Sequence, residues 1–366
     1  MIGALAQPAA EAGTIRVMLC DDSAVARGIL ARLLSREAEI RVVAQAADGR
    51  QAVEMLSAMP AAEQPEVVLL DLEMPVMDGL TALPLILRAA PGAAVIVASA
   101  LSQRGASATM QALRAGAVDY VPKPAAAQGG IADPHFGAEL RAKVAGWARM
   151  RRKRAGRAAV AAPVAIRTAP CRIGRPRAIA IGSSTGGPQA LSALVGSLTR
   201  PPPVPVLVVQ HMPAGFTALL ADHLNRLGRL PCAEAKDGEA LRPGRLYLAP
   251  GERHLLAHET PAGLVAELSA APPEHFCRPA VDPLLRSLVG ACGGRVVVAI
   301  LTGMGQDGLE GSRAIAAAGG AVLAQDEASS VVWGMPGAVA RAGLATLLAA
   351  PEEIAARLLA TCRQDA

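Results

Sequence analysis

Three residues far apart in the chain, Ser184, His211 and Asp307, are of the types that supply a nucleophile, a general base and the carboxylate that orients it. Ser184 is the central residue of Gly182-Ser183-Ser184-Thr185-Gly186, a Gly-x-Ser-x-Gly run. Flanking glycines let such a backbone turn sharply and expose the hydroxyl above the end of a strand. His211 lies in Gln210-His211-Met212-Pro213, and Asp307 in Thr302-Gly303-Met304-Gly305-Gln306-Asp307-Gly308. Each piece also has a plainer reading: the turn suits a phosphate cradle equally well, His211 a helix cap, and Asp307-Gly308 an ordinary turn. A second constellation comprises Asp21, Asp22, Asp71, Ser99 and Lys123. Three carboxylates in one cleft repel, and a hard divalent cation such as Mg²⁺ is the usual way to neutralise them, while a lysine and a hydroxyl hold phosphoryl oxygens. Acidic caps on helices would explain Asp22 alone but not the whole set.

These residues must be brought together by strand ends. From Ile15 the chain alternates short apolar runs (Ile15–Cys20, Ile40–Ala46, Val67–Leu70, Ala94–Ser99, Val118–Pro122) with helical patterns (Ala24–Ser35, Arg50–Ala58, Leu80–Arg88, Ala106–Ala115, Phe136–Arg154). Five βα units predict a doubly wound parallel sheet, whose ligands bind beyond the carboxyl ends of the strands. Pro84 fits the third helix only in a first turn. Further apolar runs at Ala178–Ile181, Val204–Val209, Arg245–Ala249, Val296–Leu301 and Ala321–Ala324 predict a second α/β sheet, with Ser184, His211 and Asp307 in the loops after three of them.

The sequence of 366 residues is 52% hydrophobic but only 2% aromatic, which favours two cores built from Ala, Val, Leu and Ile. Its six cysteines are scattered, without a Cys-x-x-Cys pair, so neither a zinc site nor a disulfide framework is expected and a reducing cytoplasm is. No signal peptide and no membrane-spanning stretch is expected. Twelve Arg or Lys and no Asp or Glu fall between Arg141 and Arg177, against a net +5 for the whole chain, so the remainder is acidic on balance. With Pro163, Pro170 and Pro176, this segment reads as a linker over 141–177 rather than a nucleic-acid reader.

Leu70-Asp71-Leu72-Glu73-Met74-Pro75-Val76-Met77-Asp78-Gly79, with Asp21-Asp22 and Val121-Pro122-Lys123-Pro124, resembles a two-component receiver domain over 14–140. The resemblance implies a flavodoxin-like fold, phosphorylation of Asp71 by a histidine kinase, Mg²⁺ among Asp21, Asp22 and Asp71, phosphoryl sensing by Ser99 and Lys123, and a switch aromatic at Tyr120. Over 178–364, Ile181-Gly182-Ser183-Ser184-Thr185-Gly186-Gly187-Pro188, Val209-Gln210-His211-Met212-Pro213, the Thr302–Gly308 run, and Gln325-Asp326-Glu327 with Trp333-Gly334-Met335-Pro336 resemble the chemotaxis protein-glutamate methylesterases. That resemblance implies a Rossmann-like three-layer α/β/α domain, a Ser184–His211–Asp307 triad with Thr185 and Met304 beside it, and hydrolysis of glutamyl methyl esters on methyl-accepting chemoreceptors. Glutamine deamidation is implied too, with no cofactor for the ester step.

Chain order narrows the chemistry. In α/β-hydrolases the acid precedes the histidine, but no histidine follows Asp307. Keeping that order would require Asp222 or Asp237 with a later histidine in a less convincing context; Ser184, His211, Asp307 is the better order and points to the elbow on a different sheet topology. A rival reading, a phosphorylation-controlled regulator gripping phosphate and nucleic acid, lacks the P-loop lysine, a Gly-x-Gly-x-x-Gly fingerprint and a convincing helix-turn-helix. No nucleic-acid partner is expected.

Overall fold

The computed structural model describes residues 13–100, 102–123, 134–154, 156 and 175–362. The chain divides into two units. In the first half the order is β1 (Ile15–Cys20), α1 (Ala24–Leu34), β2 (Ile40–Ala46), α2 (Gly49–Ala58), β3 (Val67–Asp71), α3 (Gly79–Ala89), β4 (Ala94–Ser99), α4 (Gln103–Arg114), β5 (Asp119–Pro122) and α5 (Pro134–Arg154). The five strands are parallel, in the order β2-β1-β3-β4-β5. This is the flavodoxin-like order expected from the sequence, and it reverses direction between β1 and β3, the crevice where such sheets bind ligands. β1, β3 and β4 are almost wholly buried runs of Val, Leu, Ile and Ala, as strands covered on both faces must be.

The helix boundaries follow capping chemistry. Ser23, Asp48 and Asp78 accept backbone N–H bonds at the starts of α1, α2 and α3. Pro84 lies in the middle of α3, beyond the first turn in which the sequence would have placed it. Buried Ala82, Leu83 and Ile86 hold that helix across the missing N–H bond. The boundary expected at residue 140 falls within α5, which continues to Arg154. Of the expected linker, residues 157–174 lie outside the described residues, as does Pro124 of the receiver-like motif.

The second half continues as β6 (Ala178–Ser183), α6 (Gly187–Gly196), β7 (Val206–Gln210), α7 (Phe216–Arg226), β8 (Cys232–Glu234), β9 (Leu246–Leu248), β10 (His254–Thr260), β11 (Gly263–Ser269), α8 (Val281–Cys292), β12 (Val296–Ile300), α9 (Leu309–Ala317), β13 (Ala321–Gln325), α10 (Met335–Arg341), β14 (Leu347–Ala349) and α11 (Pro351–Thr361). Seven strands form a parallel sheet, β14-β13-β12-β6-β7-β9-β8, while β10 and β11 pair as a separate antiparallel hairpin. The hairpin and the short edge strands β8 and β14 are additions to the five expected strands. Leu255, Ala257, Leu264 and Ala266 on the inner face of the hairpin join Leu284, Leu285 and Leu288 of α8 in one core, so the hairpin is a lid over that helix.

The consequence for chemistry lies in the central strands. β6 is flanked by β12 and β7, with Gly182 opposite Ile300 and Ser183 opposite Gln210. Their carboxyl ends therefore stand side by side. Past the strands, Ser184 donates its N–H to Thr302 O (3.0 Å) and His211 to Ser183 O (3.1 Å), which carries the ladder into the loops.

The β6 to α6 turn needs its glycines. Gly186 has φ of +74° at the helix N-cap, and a Cβ on Gly187 would collide with Oε1 of Gln210. Gly187→Ala is therefore expected to lower stability by about 1–3 kcal/mol, read as a lower urea midpoint at unchanged m-value. An unchanged midpoint would show that Gln210 can yield.

Candidate active site and phosphoacceptor pocket

Of the adjacent serines, Ser183 is buried and donates to Gln210 Oε1 at 2.7 Å, whereas Ser184 is half-buried. Gln210 in turn donates through Nε2 to the carbonyls of Ser184 (2.9 Å) and His211 (3.2 Å). One buried amide thus ties the serine turn to the histidine loop. Gly303 presses against Ser184 from the other side: a Cβ there would lie 2.9 Å from Ser184 Cβ and strike Met335 Sδ. Thr302 is held by N–H donation to Gln325 Oε1 (2.8 Å) and by its own hydroxyl on Thr185 O (2.9 Å). The 325–336 segment therefore positions the loop after β12.

His211 and Asp307 meet directly, Nε2 to Oδ2 at 2.8 Å. The carboxylate is buried and accepts three further bonds, from Val281 N–H (2.6 Å), Asp282 N–H (3.0 Å) and Gly308 N–H (2.8 Å). Val281 and Asp282 open α8, whose N-cap residue Ala280 has no side chain to do this work. Asp307 is thus the acceptor for the N–H groups and the positive dipole end of a helix from elsewhere in the chain. Burial alone would raise its carboxyl. His211 and the backbone N–H groups overcome that and hold it below the usual carboxylate range.

With Nε2 engaged by Asp307, the other ring nitrogen of His211, Nδ1, has Cys277 Sγ at 3.4 Å. Burial favours the neutral ring. The charge the Cys277 sulfur can carry, together with Asp307, outweighs it and takes the His211 pKa up to about 10. Among the described residues no hydrogen bond joins the Ser184 hydroxyl to His211. The structure brings the two side chains to adjacent strand ends without closing that bond, a looseness common before substrate arrives.

Cys277 closes a two-residue turn begun by Glu274, the two exchanging backbone bonds of 2.8 and 3.1 Å. Its central residues, His275 and Phe276, have φ of +51° and +61°, a conformation that ordinarily calls for Asn or Gly and costs about 1–3 kcal/mol per residue. The rival histidines are otherwise employed. His254 is buried between Ala280 N and Pro272 O, His258 bonds Glu267, His275 bonds Asp282, and His223 on α7 bonds Ser192 on α6. His275, Asp282 and Asp307 lie close enough to hold a metal ion, yet Gly311 N–H, His275 and the partners of Asp307 already occupy these carboxylates. Thr185 is buried, its hydroxyl without a partner, and Met304 is half-buried in the loop after β12. Sequence reasoning passed over Cys277, Asp282 and the tie through Gln210, because none carries a motif of its own.

In the first sheet, Asp21, Asp22 and Asp71 offer carboxylate oxygens within 4.8 Å of one another at the ends of β1 and β3. Asp21 and Asp71 are buried and Asp22 exposed. Lys123 reaches Asp71 Oδ2 at 2.6 Å and Asp21 Oδ2 at 2.8 Å. The latter is an ion pair without hydrogen-bond alignment, leaving that buried oxygen short of a donor, as a cation ligand would be. Burial raises the Asp71 carboxyl despite Lys123. Burial favours neutral Lys123, but its two carboxylate partners prevail and raise its pKa. Ser99 ends β4 beside this group, its carbonyl accepting from Lys123 N–H at 2.7 Å. Tyr120 is buried, with the Lys143 ammonium 4.8 Å from its ring centre.

An activity that needs a neutral His211 ring is expected to rise with pH towards the region of 10. Replacing Cys277 by Ala removes the sulfur beside Nδ1 and is expected to move the ascending limb of the kcat/KM profile to lower pH. A limb that stays in place would show that the sulfur does not set the basicity of the ring.

The sequence matches two family models, the receiver domain of response regulators over residues 17–132 and CheB methylesterase over residues 179–358. A protein-glutamate methylesterase/protein-glutamine glutaminase of Azospirillum brasilense is 48% identical, the match covering 94% of this chain and 92% of the relative. One from Rhodospirillum centenum is 46% identical, over 95% and 94%. The crystal structure of the Thermotoga maritima CheB methylesterase catalytic domain superposes with a TM-score of 0.50 at 37% identity, covering 50% of this chain and 98% of that one. With an α/β receiver fold ahead of a methylesterase fold and such relatives along nearly its full length, the chain belongs to the CheB family of response-regulator protein-glutamate methylesterases/protein-glutamine glutaminases.

Proposed function

We propose that Ser184, His211 and Asp307 carry out the ester hydrolysis of this family, removing methyl groups from glutamyl side chains of chemoreceptors and releasing methanol. The observation that carries the assignment is the His211 Nε2 to Asp307 Oδ2 bond of 2.8 Å beside a half-buried serine on the neighbouring strand end. Nδ1 is the nitrogen left to take the Ser184 proton as Oγ attacks the ester carbonyl. Asp307 fixes the ring and stabilises its positive form. The N–H groups of Ser184 and Gly187 are engaged by Thr302 O and Ser184 O. Thr185 is the donor in this turn that we assign to the oxyanion, with an N–H that no described residue accepts and a buried, unpartnered hydroxyl. Collapse passes the proton from Nδ1 to the departing methoxide. Water then adds to the acyl-serine by the same route, freeing the glutamate. A glutamine side chain presents the same geometry with ammonia as the leaving group.

The receiver supplies control. Mg²⁺ held by Asp21, Asp22 and Asp71 would offset the charge gathered there during phosphoryl transfer from a histidine kinase. Asp71 is the acceptor, and Lys123, which already bonds it, and the Ser99 hydroxyl would meet the new phosphoryl oxygens. Tyr120 is the aromatic whose packing would answer that change. The added charge biases a two-state surface that governs the esterase. Among the described residues no helix is long and apolar enough to cross a membrane. We place the protein in the cytoplasm, acting on the cytoplasmic parts of receptors and not on nucleic acid.

Ser184→Ala is expected to abolish methanol release from methylated receptor while leaving acyl-phosphate formation at Asp71 intact. Asp307→Asn should lower kcat by on the order of 10³–10⁴-fold, since the amide favours the wrong ring tautomer. Substantial turnover by the serine variant would sink the assignment. Asp71→Asn should retain basal turnover and lose its stimulation by a small phosphodonor such as acetyl phosphate, measured by the same methanol assay. Stimulation that survives this change would place the acceptor elsewhere.

A further inference from the structure

The turn at Glu274–Cys277 has features that the triad does not explain. Its two central residues adopt positive φ without being glycine or asparagine. Side chains anchor it on three sides: Glu274 pairs with Arg286 of α8, His275 bonds Asp282 at 3.0 Å, and Cys277 lies 3.4 Å from Nδ1 of His211. What this braced turn presents is Phe276, 81% exposed. The chain has three phenylalanines, and Phe136 and Phe216 are buried. Among the described residues of the second unit, Phe276 is the one large apolar side chain left exposed. Strain of this kind persists only where surrounding contacts over-determine it, and it concentrates at functional sites.

We propose that Phe276 is a specificity-determining residue, gripping an apolar side chain of the protein substrate next to the target glutamate. This rests on the esterase reading above. A glutamyl methyl ester offers the enzyme one small carbonyl and a methyl group, too little surface to select a site on a protein. Neighbouring parts of the substrate must contribute the binding. An aromatic ring one residue from the contact with His211 is placed to do so, since it can cover a large apolar area with little loss of rotamer freedom. The rigid turn keeps the ring in register with the reacting atoms instead of leaving it on a mobile loop.

The test uses the full chain, treated with a phosphodonor, and methylated receptor in membranes, with methanol release followed across receptor concentration. Phe276→Gly removes the ring yet suits the positive φ, so the turn is kept. Phe276→Leu retains apolar surface. The expected result is a KM about tenfold higher for the glycine variant, equivalent to about 1.4 kcal/mol, with kcat within about twofold and substantial recovery by leucine. A fall in kcat at unchanged KM would overturn the proposal, because it would mark the turn as a support for Cys277 and His211. Unchanged kinetics would overturn it as well. Ser184→Ala in the same assay separates this question from the esterase assignment: turnover persisting there refutes the triad, whereas a Phe276 variant indistinguishable from the parent refutes the recognition role alone.

Discussion

The catalytic half of the molecule depends on one buried carboxylate. Asp307 accepts four hydrogen bonds, three from backbone N–H groups and one from His211. A buried anion is tolerated only when its lone pairs are met, and here the N-terminus of α8 meets two of them. The same contacts orient the imidazole, leave Nδ1 to Cys277, and tie the loop after β12 to a helix under the β10–β11 hairpin. An elbow serine alone would be an exposed hydroxyl. The bond from Asp307 holds the ring of His211 in one orientation, which the proposed role of general base requires.

The receiver half solves a related problem differently. Asp21 and Asp71 are also buried carboxylates, but each accepts from a single backbone N–H, of Ser23 and Glu73, and the Lys123 ammonium meets their other oxygens. One of their oxygens is left without an aligned donor. In the proposed reading, a site that takes up a cation and then a phosphoryl group needs such spare capacity, whereas a carboxylate that only orients a ring does best fully satisfied. The two halves thus place carboxylates at strand ends of parallel sheets and differ in how completely they are paired.

Most strands of both sheets were readable from runs of Val, Ile, Leu and Ala, because strands covered on both faces leave continuous apolar stretches. The hairpin was missed. Its strands pack one face on α8 and leave the other to solvent, so His254–Thr260 and Gly263–Ser269 carry mixed polarity without a long apolar run. Pro84 was judged by local propensity, and the burial around it decided otherwise. Ser184, His211, Asp71 and Lys123 could be picked out because polar side chains at the ends of buried strands are conspicuous, and Asp307 because it sits in the glycine-rich loop after another.

Sequence alone determined the strand runs, the glycine elbow, the acidic and basic residues at strand ends, and a chain order unlike that of α/β-hydrolases. These are local properties, set by composition and spacing over a few residues. Tertiary structure alone decided that β12, β6 and β7 are neighbours, that Nε2 of His211 meets Asp307 while Nδ1 meets Cys277, and that a strained turn holds Phe276 beside them. Those contacts join residues more than a hundred positions apart, as where Ile300 pairs with Gly182. Their geometry depends on how sheets, helix ends and loops pack against one another, which no short stretch of chain encodes.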